Sequence, residues 1–222
     1  IQGYGTTEVS LRVTGVPPDL PEPTYREVLQ QNAAGVELCN SNVRIDGDPG
    51  EGERGEICVR GPVVSGGYLN QPDATSEVFD EGWFRTGDIG FWRMIGSRRY
   101  YFIYGRKKEI LIKGGVNISP VAVENALVES VPELAAAYVV GIEDGRMGEE
   151  ICAVVVFKHG LLSQEIIDRI LEDGREGRIA GLSAFEAPRV VLPFEPENLP
   201  MTSTGKVQRS ALRDIVRKNV KS

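Results

Sequence analysis

The chain has little of what most hydrolytic and metal enzymes rely on. Histidine occurs once, at His159, in an "HG" turn after the apolar stretch "ICAVVVFK". A Ser-His-Asp mechanism would have to run through that one imidazole, so hydrolase readings weaken. Cysteine occurs three times, at Cys39, Cys58 and Cys152, far apart and without a CxxC pair. Neither a disulfide framework nor a zinc site fits that spacing, and a reducing, cytoplasmic setting is expected. Apolar runs are short. None approaches the roughly 20 residues that cross a bilayer, so no transmembrane segment is expected. The opening "IQGYGTTE" also lacks the charged and apolar regions of a secretory signal. Positive charge is not in excess: the formal net charge is -7, with 11 basic against 15 acidic residues through position 107 and 14 against 17 beyond it. Neither half therefore favours a nucleic acid. The first residue is not methionine, and the chain is read as a piece of a longer protein whose N-terminal part is missing.

What is present is a soluble, globular composition, 41% hydrophobic and 26% charged over 222 residues, enough for two modest cores. Residues 1–107 are rich in glycine, proline and short alternating stretches such as "GEICVRG", with Ile57 and Val59 on one face. They suggest a small, distorted, β-barrel-like unit, with a short helix over "DATSEVF". "YYFIYG" and "EILIK" read as strands flanking "RKK", and the glycine pair at 114 and 115 supplies a turn. The pattern then changes. Ser119 and Pro120 open a helix through about Ser130, with Val123 and Leu127 inward. Two strands, a helix carrying Ile166, Ile167, Ile170 and Leu171, another strand and a last helix follow. Residues 108–222 are thus expected to form a compact α+β domain with its helices on one face of a small sheet.

Two motif matches are spurious. "GEGERG" at 50–55 has the G-x-G-x-x-G letters, but an acidic loop precedes it and a strand follows, where a dinucleotide site needs a strand and then a helix. The "TSTGK" ending at Lys206 is no phosphate loop, because Pro200 stands five residues before Gly205 and Val207 follows the lysine. Three other stretches carry more. "GYGTTE" (Gly3 to Glu8) offers a glycine-bracketed tyrosine, two hydroxyls and a carboxylate, a set able to stack a flat ring, touch phosphate and hold a hard cation. "GWFRTGDIG" sets Asp88 in a glycine turn after an apolar strand, where a carboxylate can accept two ribose hydroxyls. "GRKKEILIKGG" adds Arg106, a forked donor for phosphate or ribose oxygens.

Taken in order with the Lys206 loop, these stretches resemble the adenylate-forming superfamily of acyl-CoA synthetases, adenylation domains and beetle luciferases, over essentially the whole chain. The resemblance implies an acid–thiol ligase that turns a carboxylate and MgATP into an acyl-adenylate, then passes the acyl group to coenzyme A. By similarity Gly3, Tyr4, Gly5 and Thr7 would line the adenine and phosphate, Glu8 would hold magnesium, and Asp88 would bind the ribose. Arg106 would contact ribose or phosphate, and Ile103 would pack near the base. Lys206 would bridge the attacking carboxylate and the nucleotide. Lys108 would be the hinge of a C-terminal lid domain over 108–222, and Gly114 and Gly115 would border the coenzyme A channel. Residues 1–107 would close the N-terminal AMP-binding domain. The family's phosphate loop and most of its acyl pocket would lie upstream, with only Ile1, Gln2 and Gly3 near that pocket, so the chain alone is expected to be inactive. The acid is expected to be fatty or aryl. A carrier-protein-loading enzyme and a non-catalytic binding module remain the alternatives.

Overall fold

The structure, a computed structural model, describes residues 2–158, 161–203 and 205–220. Ile1 and His159 lie outside the described residues. The chain divides into two compact units, Ile1–Lys108 and Glu109–Ser222.

In the first unit the glycine-punctuated opening gives only short strands. β1 (Gly3–Tyr4), β2 (Thr14–Gly15) and β3 (Val36–Glu37) form a three-stranded antiparallel sheet, with helix α1 (Glu22–Gln30) between β2 and β3. A second antiparallel sheet holds β4 (Asn42–Ile45), β5 (Gly55–Arg60), β6 (Phe79–Asp80), β7 (Trp83–Ile95) and β8 (Arg98–Arg106), with helix α2 (Pro72–Val78) before β6. Its order is β4-β5-β7-β6, with β8 also paired to β7. Alternation does what period 2 requires: Val43 and Ile45 of β4, and Ile57 and Val59 of β5, enter one apolar cluster with Phe84 and Tyr101. Val28 of α1 packs in another with Tyr100 and Phe102. The α+β class holds, but among the described residues no sheet closes into a barrel. "GEGERG" runs from the connection after β4 into the first residue of β5, Gly55, with a strand and no helix after it.

The second unit is built on β9 (Leu111–Lys113), β10 (Val116–Ile118), β11 (Leu134–Asp144), β12 (Gly148–Phe157) and β13 (Val190–Pro193). Their order is β10-β9-β12-β11, with β13 parallel to β12. Helices α3 (Pro120–Ser130), α4 (Gln164–Arg175) and α5 (Arg209–Val220) cover the sheet. Ser119 caps α3 as the sequence suggests, its hydroxyl accepting from the Ala122 N–H at 3.2 Å.

The helices do not all lie on one face. Val139, Ile151, Ala153 and Val155 cluster with Val123 and Leu127 of α3 and with Ile167 and Ile170 of α4. The alternate residues Val140, Ile142, Cys152, Val154 and Val156 cluster with Leu212 and Val216 of α5. The expectation of one covered face is therefore corrected to two. The physical reason is visible in "ICAVVV": a strand that is apolar at every position has both faces to bury.

Candidate nucleotide site and lysine loop

Asp88 lies within a strand rather than in a turn, which corrects its expected place. Pairing of β5 with β7 runs Glu56↔Ile89 and then Cys58↔Arg85, so Thr86, Gly87 and Asp88 stand opposite Ile57 alone. This bulge needs Gly87, whose φ is +72°. Within it the Asp88 carboxylate is buried beside β8, where Asp88 pairs with Arg106. The Arg106 guanidinium reaches Asp88 Oδ1 at 2.8 Å through Nε and the Thr86 carbonyl at 3.2 Å through Nη1. From the other side the Tyr4 hydroxyl donates to Asp88 Oδ2 at 2.5 Å. Three expected site residues are thus joined by direct bonds.

Asp88 is only 5% exposed. Burial pushes its carboxyl above the ordinary value, further than the Tyr4 hydrogen bond and the Arg106 charge pull it down. The Tyr4 phenol is raised far above its ordinary value, first by burial and then by the adjacent carboxylate. Tyr4 therefore stays a neutral donor. An ionised carboxylate offers about four lone-pair sites, and two are used here, leaving acceptor capacity for a vicinal diol.

The backbone beside Tyr4 is tightly folded. A Cβ on Gly5 would collide with the Leu11 carbonyl, and one on Gly3 would lie 2.6 Å from the Thr14 carbonyl. Both glycines are therefore required for close approach, which is their role here. After them Thr7–Val9 form a single 3-10 turn, followed by Ser10 and Leu11 with φ of 55° and 88°. Thr7 is exposed and Glu8 half-buried. The Tyr68 hydroxyl donates to Glu8 Oε1 at 2.8 Å. Burial works to raise the Glu8 carboxyl, but hydrogen bonds from its own backbone N–H and from Tyr68 outweigh it and hold the group below its ordinary value. Glu8 is thus kept ionised. Ile103 is half-exposed on β8, opposite Gly90.

The remaining expected residues are exposed. Lys108 closes the first unit. Gly114 and Gly115 form the two-residue loop between paired Lys113 and Val116, with φ of 54° and 82°. Two positive φ values mark the hairpin turn that glycine pairs favour. A Cβ on Gly114 would meet Met147 Cε at 2.7 Å, whereas one on Gly115 would meet nothing within 4 Å. Lys206 sits in a loop closed on itself. The Thr202 N–H donates to the Lys206 carbonyl at 2.7 Å, the Lys206 N–H to Thr202 Oγ1 at 3.0 Å, and the Gln208 N–H to the Pro200 carbonyl at 2.7 Å. Among the described residues the Lys206 ammonium makes no ion pair. Thr204 of this loop lies outside the described residues.

Sequence reasoning missed several supporting groups. Glu56, 7% exposed, accepts from Gly87 N–H at 3.0 Å, from Arg85 at 2.8 Å and from Lys107 at 3.0 Å, so it braces the bulge that presents Asp88. Tyr68 follows the glycine pair of "SGGYLN" and gives no periodic signal. Lys113 is 3% exposed; its ammonium bonds Glu150 Oε1 at 2.6 Å and the Phe185 carbonyl at 3.0 Å. Alternation in "LIK" could have found it, since Lys113 shares a face with Leu111.

Comparison with known proteins shows which family the chain resembles. The family model of the AMP-binding enzyme C-terminal domain matches residues 122–206. The chain is 37% identical over 220 residues to "Probable 4-coumarate--CoA ligase 2" of Dictyostelium discoideum, a match covering 96% of this chain and 36% of that protein. It is 38% identical over 225 residues to indoleacetate--CoA ligase of Aromatoleum aromaticum, covering 97% of this chain and 40% of the other. Among solved structures it resembles o-succinylbenzoate CoA synthetase (MenE) from Bacillus subtilis in complex with the acyl-adenylate intermediate OSB-AMP. There the TM-score is 0.80 and the identity 29%, over 96% of this chain and 40% of that one. The chain therefore spans 36% to 40% of the length of these relatives.

Proposed function

Because the chain belongs to the adenylate-forming superfamily, we propose that it supplies the ribose-binding and lysine-bearing parts of an ATP-dependent acyl-CoA ligase. In the first half-reaction a carboxylate oxygen bonds to the α-phosphorus of ATP as pyrophosphate leaves. In the second the coenzyme A thiol bonds to the acyl carbon and AMP leaves. The observation that carries this reading is the buried Asp88 carboxylate, held between Tyr4 and Arg106 with acceptor capacity to spare. That arrangement suits the two ribose hydroxyls.

Residues 1–107 are read as the end of the AMP-binding domain and 108–222 as its lid. Among the described residues no group of three or more His, Cys, Asp or Glu side chains could hold a metal. Glu8 alone fits magnesium, which keeps its waters and takes one or two carboxylates together with phosphate oxygens. Glu8 would hold that ion, which when bound neutralises phosphate charge. Thr7, exposed one residue earlier, would meet a phosphate oxygen. Tyr4, with Gly3 and Gly5 drawing the backbone close, would border the adenine opposite Ile103. Lys206, a cation on a self-closed loop, would stabilise the crowded charge as one anion attacks another. Lys108 would serve as hinge, bringing the Gly114–Gly115 turn to the pantetheine arm. The relatives are named for acids as different as 4-coumarate, indoleacetate and oxalate. What they share with this chain is then the nucleotide chemistry, and the acid, aryl or fatty, is selected elsewhere.

The test separates the half-reactions in the intact enzyme. Lys206→Ala should lower acid-dependent pyrophosphate exchange by about a hundredfold or more, the usual cost of one preorganised group. Thioester formation from supplied acyl-adenylate should fall far less. Gly115→Leu should reverse the pattern. Equal loss of both half-reactions in both folded variants would overturn the reading.

A further inference from the structure

Arg209 opens α5 although no acidic residue stands in the first turn of that helix. A cation there faces the positive end of the helix dipole, which is locally unfavourable. The position is explained only by what the guanidinium holds. Nε reaches Glu109 Oε2 at 2.8 Å and Nη2 reaches Glu124 Oε2 at 2.9 Å. Nη1 bonds Glu124 Oε1 and donates to the Val139 carbonyl at 3.0 Å. Glu124 is itself buried in α3, and its Oε1 also accepts from the Val139 N–H at 2.6 Å. One side chain therefore ties the start of α5 to α3, to β11 and to Glu109, the first residue of the second unit.

Two segments given functional roles end at this knot. Lys206 stands three residues before Arg209, at most about 11 Å along the chain. Its loop is internally closed by the Thr202–Lys206 and Pro200–Gln208 bonds, so the loop turns as one piece on its base. On the other side Glu109 follows Lys108 directly. We propose that Arg209 is a positioning residue for adenylation: it fixes the base of the Lys206 loop to the residue next to the hinge, so that a torsion change at the hinge carries the lysine with it. The proposal rests on the role of Lys206 given above. It assigns Arg209 no contact with substrate.

The consequence is a selective defect. Without Arg209 the Lys206 loop keeps its own hydrogen bonds but loses its fixed base, and a misplacement of about 1 Å is worth on the order of a hundredfold in rate. In the intact enzyme Arg209→Ala should lower kcat for pyrophosphate exchange 10- to 100-fold while the KM values for ATP and acid change less than about threefold. Thioester formation from supplied acyl-adenylate should stay within a few-fold of the parent. Arg209→Lys, which can hold one carboxylate but not both, should recover part of the loss. Glu109→Gln, which takes the charge out of the hinge-side bond alone and leaves the buried Glu124 pair intact, should give a smaller defect of the same kind. Lys206→Ala serves as reference. If it leaves exchange intact, the functional reading itself fails. If it abolishes exchange while Arg209→Ala and Glu109→Gln lower both half-reactions in step, or neither, the positioning role of Arg209 fails and the reading of Lys206 stands.

Discussion

Replacing Asp88 by asparagine separates a binding group from a structural one, because the two roles predict opposite changes in stability. The substitution keeps the shape of the side chain and removes its charge. Burial raises the Asp88 pKa in the folded chain above its unfolded value. Between the unfolded value, about 3.9, and the raised one, the folded chain binds a proton there that the unfolded chain has released. The stability contributed by this group is thus complete below the unfolded pKa and is lost as pH rises through the folded one. At neutral pH the ionised carboxylate is a net cost to unit 1. Arg106, 54% exposed in its side chain, can turn to water when the charge is gone, at a cost of about 0–1 kcal/mol. Asp88→Asn should therefore melt no lower than the parent at pH 7, and the two should converge near pH 3.

The functional cost should be large by contrast. Hydrogen bonds to a charged acceptor are worth about 1.5–3 kcal/mol and neutral ones about 0.5–1.5. Two ribose hydroxyls would lose about 2–3 kcal/mol together, which is roughly a 30- to 150-fold rise in KM for ATP in the intact enzyme. Stability can be followed in this chain by tryptophan fluorescence, since Trp83 and Trp92 are its two tryptophans and both belong to the first unit. A melting point several degrees below the parent at pH 7, with KM for ATP unchanged, would show that Asp88 is a structural carboxylate and refute the ribose assignment.

Tyr68→Phe removes the hydroxyl that holds Glu8 ionised and oriented. In the intact enzyme the magnesium dependence of exchange should shift to about three- to tenfold higher concentration, the equivalent of about 1 kcal/mol for one hydrogen bond. An unchanged magnesium titration would dissociate Tyr68 from the ion. In the second unit, Lys113→Met should destabilise by about 3–5 kcal/mol because Glu150 is left beside the site without its cation. Lys113→Met with Glu150→Leu should recover most of that loss, as read from denaturant unfolding by far-UV circular dichroism. A double variant no better than the single one would mean that the Phe185 carbonyl and ring, rather than the ion pair, hold Lys113 in place.

Much of the second unit was legible because its residues report their surroundings locally. Ser119 with Pro120 announces a helix start, and the isoleucines of α4 repeat at the helical period, so those elements fall where the pattern puts them. What local pattern could not give was which layer covers which face. "ICAVVV" says only that both faces of β12 are apolar, and α5 arrives to cover one of them some fifty residues later. The site residues divide in the same way. Gly114 and Gly115 are readable as a turn from two letters, whereas the Tyr4–Asp88–Arg106 cluster depends on a bulge and on a bond between residues 84 positions apart.

The bulge also explains why a short motif can carry so much. A regular β7 would alternate its side chains between the two sheet faces. Three residues of β7 stand against Ile57 alone where Asp88 meets Tyr4 and Arg106, and that irregularity must be held against the tendency of the ladder to re-register. Gly87 supplies the backbone angle. Glu56 supplies the restraint, capturing the Gly87 N–H on one oxygen while Arg85 and Lys107 balance its buried charge on the other. Burial acts to raise Glu56, yet its two cations outweigh it and keep the carboxyl below its ordinary value. The two buried carboxylates are therefore tuned in opposite directions within one strand pair. Glu56, the brace, is ionised at low energetic cost, and Asp88, the presenting group, is ionised at a cost that a bound diol would offset. Under the proposed function, a group left destabilised in the free protein and relieved by ligand is what a binding carboxylate should look like, and its place inside β7 separates Asp88 from the turn-forming aspartate that its sequence neighbours suggest.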